Sequence, residues 1–314
     1  MGGGSETILI TGGYGFIGRN LISHFLDRSY RLVIVDAGRR EDSDEFGDVV
    51  DYTTDMSEPA VLRDIVSREN PDFVIHLAGL VTASRYRHDI DDMISSNSIP
   101  LLNVLKALES ASRLRLFINF GSAEEYGPIK VPFSEDMHEH PQSPYALAKL
   151  HNTLTTAYLA DQEGIPAITL RPGLVYGPHQ PVDKFLPSVI LAALKGVPVV
   201  MTPGHQTRDP VFAPDLARIV ELFLKHPFTS YGGIYNAAQG REIQLIDIVK
   251  QIIEITDSGS RIDTSLPYRK REAMRFVCDM SKTIGVIGED FTWTPLSEGL
   301  NRTINYYREL ASEK

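Results

Sequence analysis

Short apolar runs alternate with amphipathic stretches over the first half of the chain. Ile8-Leu9-Ile10, Leu32-Val33-Ile34-Val35, Val49-Val50, Phe73-Val74-Ile75, Phe117-Ile118 and Ile168-Thr169-Leu170 each have the length of a buried strand and are bounded by turn residues or prolines. Between them, apolar positions recur at three- and four-residue spacing, as in Phe16, Ile17, Leu21 and Phe25. The spacing predicts further helices over 57–68, with Ser57 as N-cap, over 91–111, with a kink or restart at Pro100, and over 145–162. Strands alternating with helices predict an α/β protein with a doubly wound parallel sheet. Beyond Pro172 the alternation weakens and prolines become frequent, so the chain divides into a first domain over 1–171 and a smaller C-terminal lobe over 172–314. Within that lobe, the stretch 208–226, with a helix starting at Asp215, is expected to pack back on the first domain.

The first strand runs straight into Thr11-Gly12-Gly13-Tyr14-Gly15-Phe16-Ile17-Gly18 and then into a helix. In this strand–turn–helix context, glycines at 12, 13, 15 and 18 allow a sharp turn, close approach to a pyrophosphate and close helix–strand packing. The helix N-terminus then offers backbone N–H groups to the phosphates. Gly12, Gly15, Phe16, Ile17 and Gly18 are therefore candidate cofactor contacts in a Rossmann-type domain. Asp36 ends the second strand at the distance expected of a carboxylate that accepts from both ribose hydroxyls and repels a 2′-phosphate, which points to NAD. Arg39 and Arg40 follow closely and would soften that preference. Asp55-Met56 lies where a turn would pass the adenine, and Leu77-Ala78-Gly79 ends the fourth strand in small residues suited to a cofactor-facing wall.

Composition narrows the class of protein. The 314 residues are 42% hydrophobic and 23% charged, as in ordinary globular chains, and the net charge of −10 argues against general nucleic-acid binding. A single cysteine, Cys278, excludes an internal disulfide and fits a reducing compartment. No apolar run reaches membrane-spanning length and the N-terminus lacks signal-peptide features. Met1-Gly2 resembles a myristoylation start, but Glu6 stands where Ser or Thr is required, so Gly2-Gly3-Gly4-Ser5 reads as a flexible leader. The expectation is a soluble cytoplasmic enzyme. Asp136, His138, Glu139 and His140 sit in a proline-bounded loop and read as a solvated turn, so no metal is expected.

Tyr145-Ala146-Leu147-Ala148-Lys149 places a phenol and an ammonium on one helix face. A lysine cation and a positively charged nicotinamide would favour the phenolate, making Tyr145 a base, and Ser122 at the end of the fifth strand would bond the same substrate oxygen. With the glycine turn, Asp36, His76-Leu77-Ala78-Gly79, Asn97, Ser122 with Tyr126-Gly127, and Arg171-Pro172 through Tyr176-Gly177-Pro178, this ordered set resembles the extended short-chain dehydrogenase/reductase family over nearly the whole chain. It is most similar to the nucleotide-sugar epimerases and dehydratases.

The resemblance implies that Tyr145 removes a sugar hydroxyl proton, commonly at C4, that Lys149 holds the nicotinamide ribose, and that Ser122 polarises the hydroxyl or ketone. Asn97 would brace the catalytic helix, and Pro172 would touch the cofactor. Thr207-Arg208-Asp209 resembles the family's Arg-Asp signature, and Arg269, within Pro267-Tyr268-Arg269-Lys270-Arg271-Glu272, resembles its second phosphate contact. Lys184 and Asn236 resemble nucleotide-contacting positions. The substrate is then a nucleoside-diphosphate sugar, and the helices near 93–111 and 145–162 resemble those that pair in the family's homodimers. His179 and Cys278 receive no role.

Glu124 decides among the family's reactions. A glutamate two residues after the hydroxyl abstracts the C5 proton in the 4,6-dehydratases, and Ser122-Ala123-Glu124 keeps it while placing alanine where an acid or hydroxyl helps the leaving group. The first expectation is an NAD-dependent dehydratase that loses water from C6 in a 4,6- or 5,6-type reaction. A 4-epimerase, a 4-ketoreductase or decarboxylase, and a non-catalytic nucleotide-binding regulator are the alternatives. Leu174 stands where many relatives carry a substrate-touching asparagine, which detaches the sugar's identity from the resemblance.

Overall fold

The computed structural model describes residues 5–38, 46–47, 49–82, 86–226, 228, 231–269 and 272–312. Arg39, Arg40, Lys270, Arg271 and the leader residues 1–4 lie outside these. The strands among the described residues are β1 Glu6–Thr11, β2 Tyr30–Asp36, β3 Val50–Thr53, β4 Phe73–His76, β5 Leu116–Phe120, β6 Ala167–Pro172, β7 Leu174–Tyr176, β8 Val199–Val200, β9 Thr207–Arg208, β10 Pro210–Phe212, β11 Ile234–Ala237, β12 Ile243–Gln244 and β13 Ile262–Asp263. The α-helices are α1 Phe16–Leu26, α2 Pro59–Glu69, α3 Ile90–Ala107, α4 Pro144–Glu163, α5 Phe185–Leu194, α6 Ala213–Lys225, α7 Leu245–Ile255, α8 Ser281–Ile287 and α9 Leu296–Ser312.

Seven strands form one parallel sheet in the order β11-β6-β5-β4-β1-β2-β3. The chain winds outward from β1 to β3, returns to β4 on the other side of β1, and winds outward again. That reversal opens a crevice at the carboxyl ends of β1 and β4, where ligands bind in such sheets. Buried residues alternate between the two faces because successive strand side chains point in opposite directions. Ile8, Ile10, Ile75, Ile118 and Ile168 pack with Leu21 and Phe25 of α1 and Ile219 and Phe223 of α6. Leu9, Val33, Val74 and Phe117 pack with Leu62 and Val66 of α2 and Leu101 and Val104 of α3. A parallel sheet with helices on both faces is the only arrangement in which such continuous apolar runs avoid water.

Beyond Pro172 the chain contributes β11 to the edge of this sheet, and α6 lies on α1, joined by His24 Nε2 and Glu221 Oε2 at 2.7 Å. Helices α5, α7 and α9 gather a separate apolar cluster around Tyr176, Ile190, Phe212, Ile248 and Ile304.

Two local expectations are corrected. Helix α2 starts at Pro59 after Glu58, because Ser57 is held in a turn that donates its N–H to Asp55 Oδ1 at 2.8 Å. Proline suits that first helical position, where no N–H is needed. Helix α3 runs unbroken through Pro100; the buried residues Asn97, Pro100, Leu101 and Val104 hold it in place, and packing overrides the loss of one helical bond.

Near the crevice, one row crosses the sheet in register through Thr11, His76, Asn119 and Thr169. His76 is fully buried, its Nδ1 lies 2.8 Å from Thr11 Oγ1, and burial, reinforced by the Lys149 charge, depresses its pKa to about 3. The unfolded chain therefore binds a proton that the folded one refuses as pH falls from about 6.5 towards 3. Over that window His76 is expected to remove up to about 1.4 kcal/mol of stability per pH unit. Urea unfolding at stepped pH should show a steeper acid loss for the wild type than for His76→Gln; parallel curves would sink the assignment.

Candidate active site

The glycine turn is built for close approach. Gly12 has φ +69°, and a Cβ there would lie 2.8 Å from the Ala78 backbone, so the turn presses against the end of β4. A Cβ on Gly18 would meet Gly13 O at 2.3 Å, which makes that glycine the point where α1 packs on the turn. Gly15 is the N-cap of α1, and the first helical bond runs from Arg19 N to Gly15 O at 3.0 Å. The backbone N–H groups of Phe16, Ile17 and Gly18 precede that bond and suit a phosphate. Asp36 accepts from Tyr14 N at 3.0 Å through Oδ2 and from Gly38 N through Oδ1, which fixes the carboxylate at the rim.

A cavity of ≈ 450 Å³ is bordered by Gly12, Gly15, Asp36, Asp55, Met56 and Leu77-Ala78-Gly79, with Ser95, Ser96 and Pro100 of α3 opposite. The turn that cannot admit side chains and the fixed carboxylate fit a dinucleotide, and NAD bound here supplies the chemistry of oxidising and reducing a carbon centre. Of the expected contacts, Phe16, Ile17, Gly18, Asn97, Tyr145, Lys149 and Pro172 do not line this cavity. Asn97 is buried in α3, donates to Met93 O at 3.1 Å and Leu80 O at 3.2 Å, and accepts through its backbone O from Asn152 Nδ2 of α4 at 3.0 Å. It therefore braces α3 against α4 and supports the wall at Gly79, where φ is +148° and a Cβ would strike Asn97 Oδ1. Pro172 is buried at the end of β6 and does not border the cavity.

Ser122 follows β5 and caps a short 3₁₀ turn over Ala123–Glu125, accepting from Glu124 N at 3.1 Å. Ser143 caps α4 by accepting from Ala146 N at 3.1 Å, with Pro144 at N1, and this places Tyr145 in the first turn. The Ser122 side chain acts on the Tyr145 hydroxyl and pulls its pKa down, which puts the two within each other's influence. Burial pushes the Tyr145 phenol well above its ordinary value, and the Glu124 charge pushes the same way. Lys149 lies one turn further on, buried, with Nζ donating to Phe120 O at 2.8 Å and 5.9 Å from the Tyr145 ring centroid. Burial lowers its pKa to about 8. The ammonium thus donates to a main-chain carbonyl, one turn of α4 from Tyr145.

Glu124 is exposed and borders a second cavity, of ≈ 200 Å³, together with Gln142, Ser143, Lys184, Arg208 and Arg269. Arg208 donates through Nη1 to Thr207 O and Ala273 O and through Nη2 to Glu272 Oε1 at 2.5 Å, which aims it at the cavity. Arg269 is exposed at the same wall, and Lys184 Nζ reaches across to Val81 O at 3.5 Å. Asn236 is elsewhere: it is fully buried, donating to Phe133 O and Asp279 O and accepting from Tyr126 Oη, so its side-chain hydrogen-bonding groups are taken, and it lines neither of the two cavities described. Leu174 packs with the apolar cluster of the C-terminal lobe.

Sequence reasoning missed what lies beneath Ser122. Glu125, fully buried, accepts from Ser122 N at 2.7 Å, Thr153 Oγ1 at 2.9 Å and Arg171 Nε at 2.8 Å, while Arg171 Nη2 reaches Glu139 Oε1 at 2.6 Å. Glu139, read as part of a solvated turn, is thus tied to a buried guanidinium. The only signal was an arginine inside an apolar strand.

A dinucleotide cavity, a Ser–Tyr–Lys set and a second cavity lined with cations define an NAD-dependent enzyme of the extended short-chain dehydrogenase/reductase type. The model of the NAD dependent epimerase/dehydratase family matches residues 8–238, and the chain belongs to that family, whose cofactor is NAD. It is 28% identical over 336 aligned positions to the dTDP-glucose 4,6-dehydratase of Neisseria meningitidis serogroup B, covering 96% of this chain and 92% of that protein. The UDP-glucose 4-epimerase of Thermotoga maritima, solved with UDP-glucose, superposes with a TM-score of 0.86 at 26% identity over 97% of this chain and 99% of its own. MoeE5, solved with UDP-glucuronic acid and NAD, superposes equally well, with a TM-score of 0.86, 25% identity, and 97% of this chain and 99% of its own covered.

Proposed function

We propose that the protein is an NAD-dependent nucleotide-sugar dehydratase. The observation that carries this reading is the exposed Glu124 carboxylate, held by the Ser122 turn at the border between the Tyr145 hydroxyl and the cations of the second cavity. Arg208 and Arg269, with Lys184, bind the diphosphate by charge-assisted hydrogen bonds. Tyr145 takes the proton of the C4 hydroxyl while Ser122 holds its oxygen; bound NAD would take up the C4 hydride, which would return either to C6, with a solvent proton delivered to C5, or to C4, with the Tyr145 proton returned to its oxygen. The C4 ketone acidifies C5–H, and Glu124 takes that proton. It then gives it to the C6 hydroxyl as the C6–O bond breaks and water leaves.

A 4-epimerase is the second reading, and Ala123 favours it. Its side chain is fully buried among Tyr126 and Phe133, so that position offers no acid to the leaving hydroxyl. To separate the two, UDP-, GDP-, CDP- and dTDP-sugars are incubated with the protein in D₂O without added cofactor, and the products are weighed. A product lighter by one water is expected. Isomers of unchanged mass without deuterium at C5 would make it an epimerase. Turnover only with stoichiometric NAD(P)H and a keto-sugar would make it a reductase, and silence with every sugar a binding protein.

We propose further that the enzyme is a cytoplasmic homodimer. No helix among the described residues is long and apolar enough to cross a membrane, and Cys278 is buried and unpaired. Helices α3 and α4 lie side by side and expose Ile94, Ile99, Leu147, Leu154 and Tyr158, an apolar face that pairing with a second copy would cover. Sedimentation is expected to give twice the chain mass and Leu154→Arg to give monomer; a monomeric wild type overturns the assembly.

A further inference from the structure

We propose that Glu125 is a positioning residue, whose carboxylate sets the distance between Ser122 and Tyr145. The inference rests on the reading that these two groups act on one sugar hydroxyl, which dehydratase and epimerase share. It does not depend on what the keto-sugar does next.

The argument starts from what the carboxylate joins. Oε1 accepts from Ser122 N, in the turn that carries Ser122 and Glu124. Oε2 accepts from Thr153 Oγ1, two turns beyond Tyr145 on the helix that carries Tyr145 and Lys149. The same oxygen accepts from Arg171 Nε at the end of β6. Three elements that approach from different parts of the sequence therefore close on one fully buried side chain.

Room has been left for it. A Cβ on Gly121 would lie 2.5 Å from Glu125 Oε1 and 3.1 Å from Thr153 Oγ1, so this glycine is the one residue type that admits the carboxylate. The charge is compensated by Arg171, itself fully buried, stacked 4.6 Å over the Tyr126 ring and tied to Glu139 in the loop that leads into α4. A buried carboxylate with one guanidinium and two neutral donors is satisfied; without a partner it would be strongly unfavourable. Replacing such a group with an apolar pair would serve stability as well. Its geometry does something packing does not: it fixes the Ser122 backbone relative to α4, and a shift of about 1 Å between reacting groups can cost about 10²-fold in rate.

Glu125→Gln keeps the volume but turns one acceptor into a donor, which must face Ser122 N–H or the Thr153 and Arg171 donors. With the nucleotide sugar that the wild type converts, kcat is expected to fall about 10–100-fold, with KM and NAD content unchanged. Thr153→Val should show a smaller loss of kcat, and Thr153→Ser, which keeps the hydroxyl, should restore it. Crystal structures with NAD should show a longer Ser122 Oγ–Tyr145 Oη separation in Glu125→Gln than in the wild type.

Wild-type kcat in a folded Glu125→Gln, or a Ser122–Tyr145 separation there equal to that of the wild type, overturns the proposal. If that variant does not fold, wild-type kcat in Thr153→Val overturns it instead. If the wild type converts no nucleotide sugar, the functional reading falls, and the crystallographic comparison still decides the role of Glu125.

Discussion

Tyr145→Phe is expected to lower turnover by about 10²–10⁴-fold, the range that a positioned acid–base group contributes. The substitution removes one oxygen from a ring that stays packed between Met93 and Ala148, so neither fold nor cavity should change. Affinity for NAD should also survive, because the glycine turn, Asp36 and Lys149 are untouched. The pH dependence gives a second, independent signature. Burial and the Glu124 charge hold the phenol protonated in the free protein, so the active phenolate forms only as pH rises or as positive charge enters the site. Wild-type kcat should therefore climb with pH on its acid side, and the residual rate of Tyr145→Phe should lack that limb. NAD⁺, positively charged at the nicotinamide, should lower the pH at which the phenol ionises more than NADH does, measured as the ultraviolet difference between wild type and Tyr145→Phe. A variant with near-normal turnover would remove Tyr145 from the chemistry.

What could be read from the residues alone follows the range of the interactions involved. The glycine turn and Asp36 were legible because they lie within one β–α–β unit, and Tyr145 with Lys149 because a helix fixes their spacing. Ser122 could be paired with Tyr145 because it follows the end of a strand that the sequence marks by an apolar run. No restart occurs at Pro100, where local propensity allows a kink or a restart, because burial between the sheet and α4 keeps the helix continuous. Ser57 misled because a cap preference cannot reveal that Asp55 already holds its N–H. Asn236 looked like a ligand contact, but it is buried with its polar atoms paired, a fact set by Phe133, Tyr126 and Asp279, far from it in sequence. Glu125 was invisible for the same reason: its three partners lie 3, 28 and 46 residues away, and a glutamate beside Glu124 reads as a second surface charge.

Glu124→Gln is expected to stop loss of water while leaving oxidation at C4 intact. The substitution is nearly isosteric, and the turn does not need the carboxylate, because its cap uses the backbone N–H of residue 124 and the Ser122 hydroxyl. An amide cannot accept the C5 proton, so dehydration should fall by about 10²–10⁴-fold, as for loss of a general base. The Tyr145 side of the reaction should move the other way. The Glu124 charge raises the Tyr145 pKa, and its removal makes the phenolate easier to form. Oxidation, read as the absorbance of reduced nicotinamide after mixing with substrate, should be as fast as in the wild type or faster at neutral pH. That divergence distinguishes a C5 base from a residue that merely shapes the turn, because a distorted turn would displace Ser122 and slow both steps. If Glu124→Gln still releases water, the base lies elsewhere. If it interconverts C4 epimers at the wild-type rate with no deuterium at C5, the exposed carboxylate is part of the sugar's binding surface and the protein is a 4-epimerase.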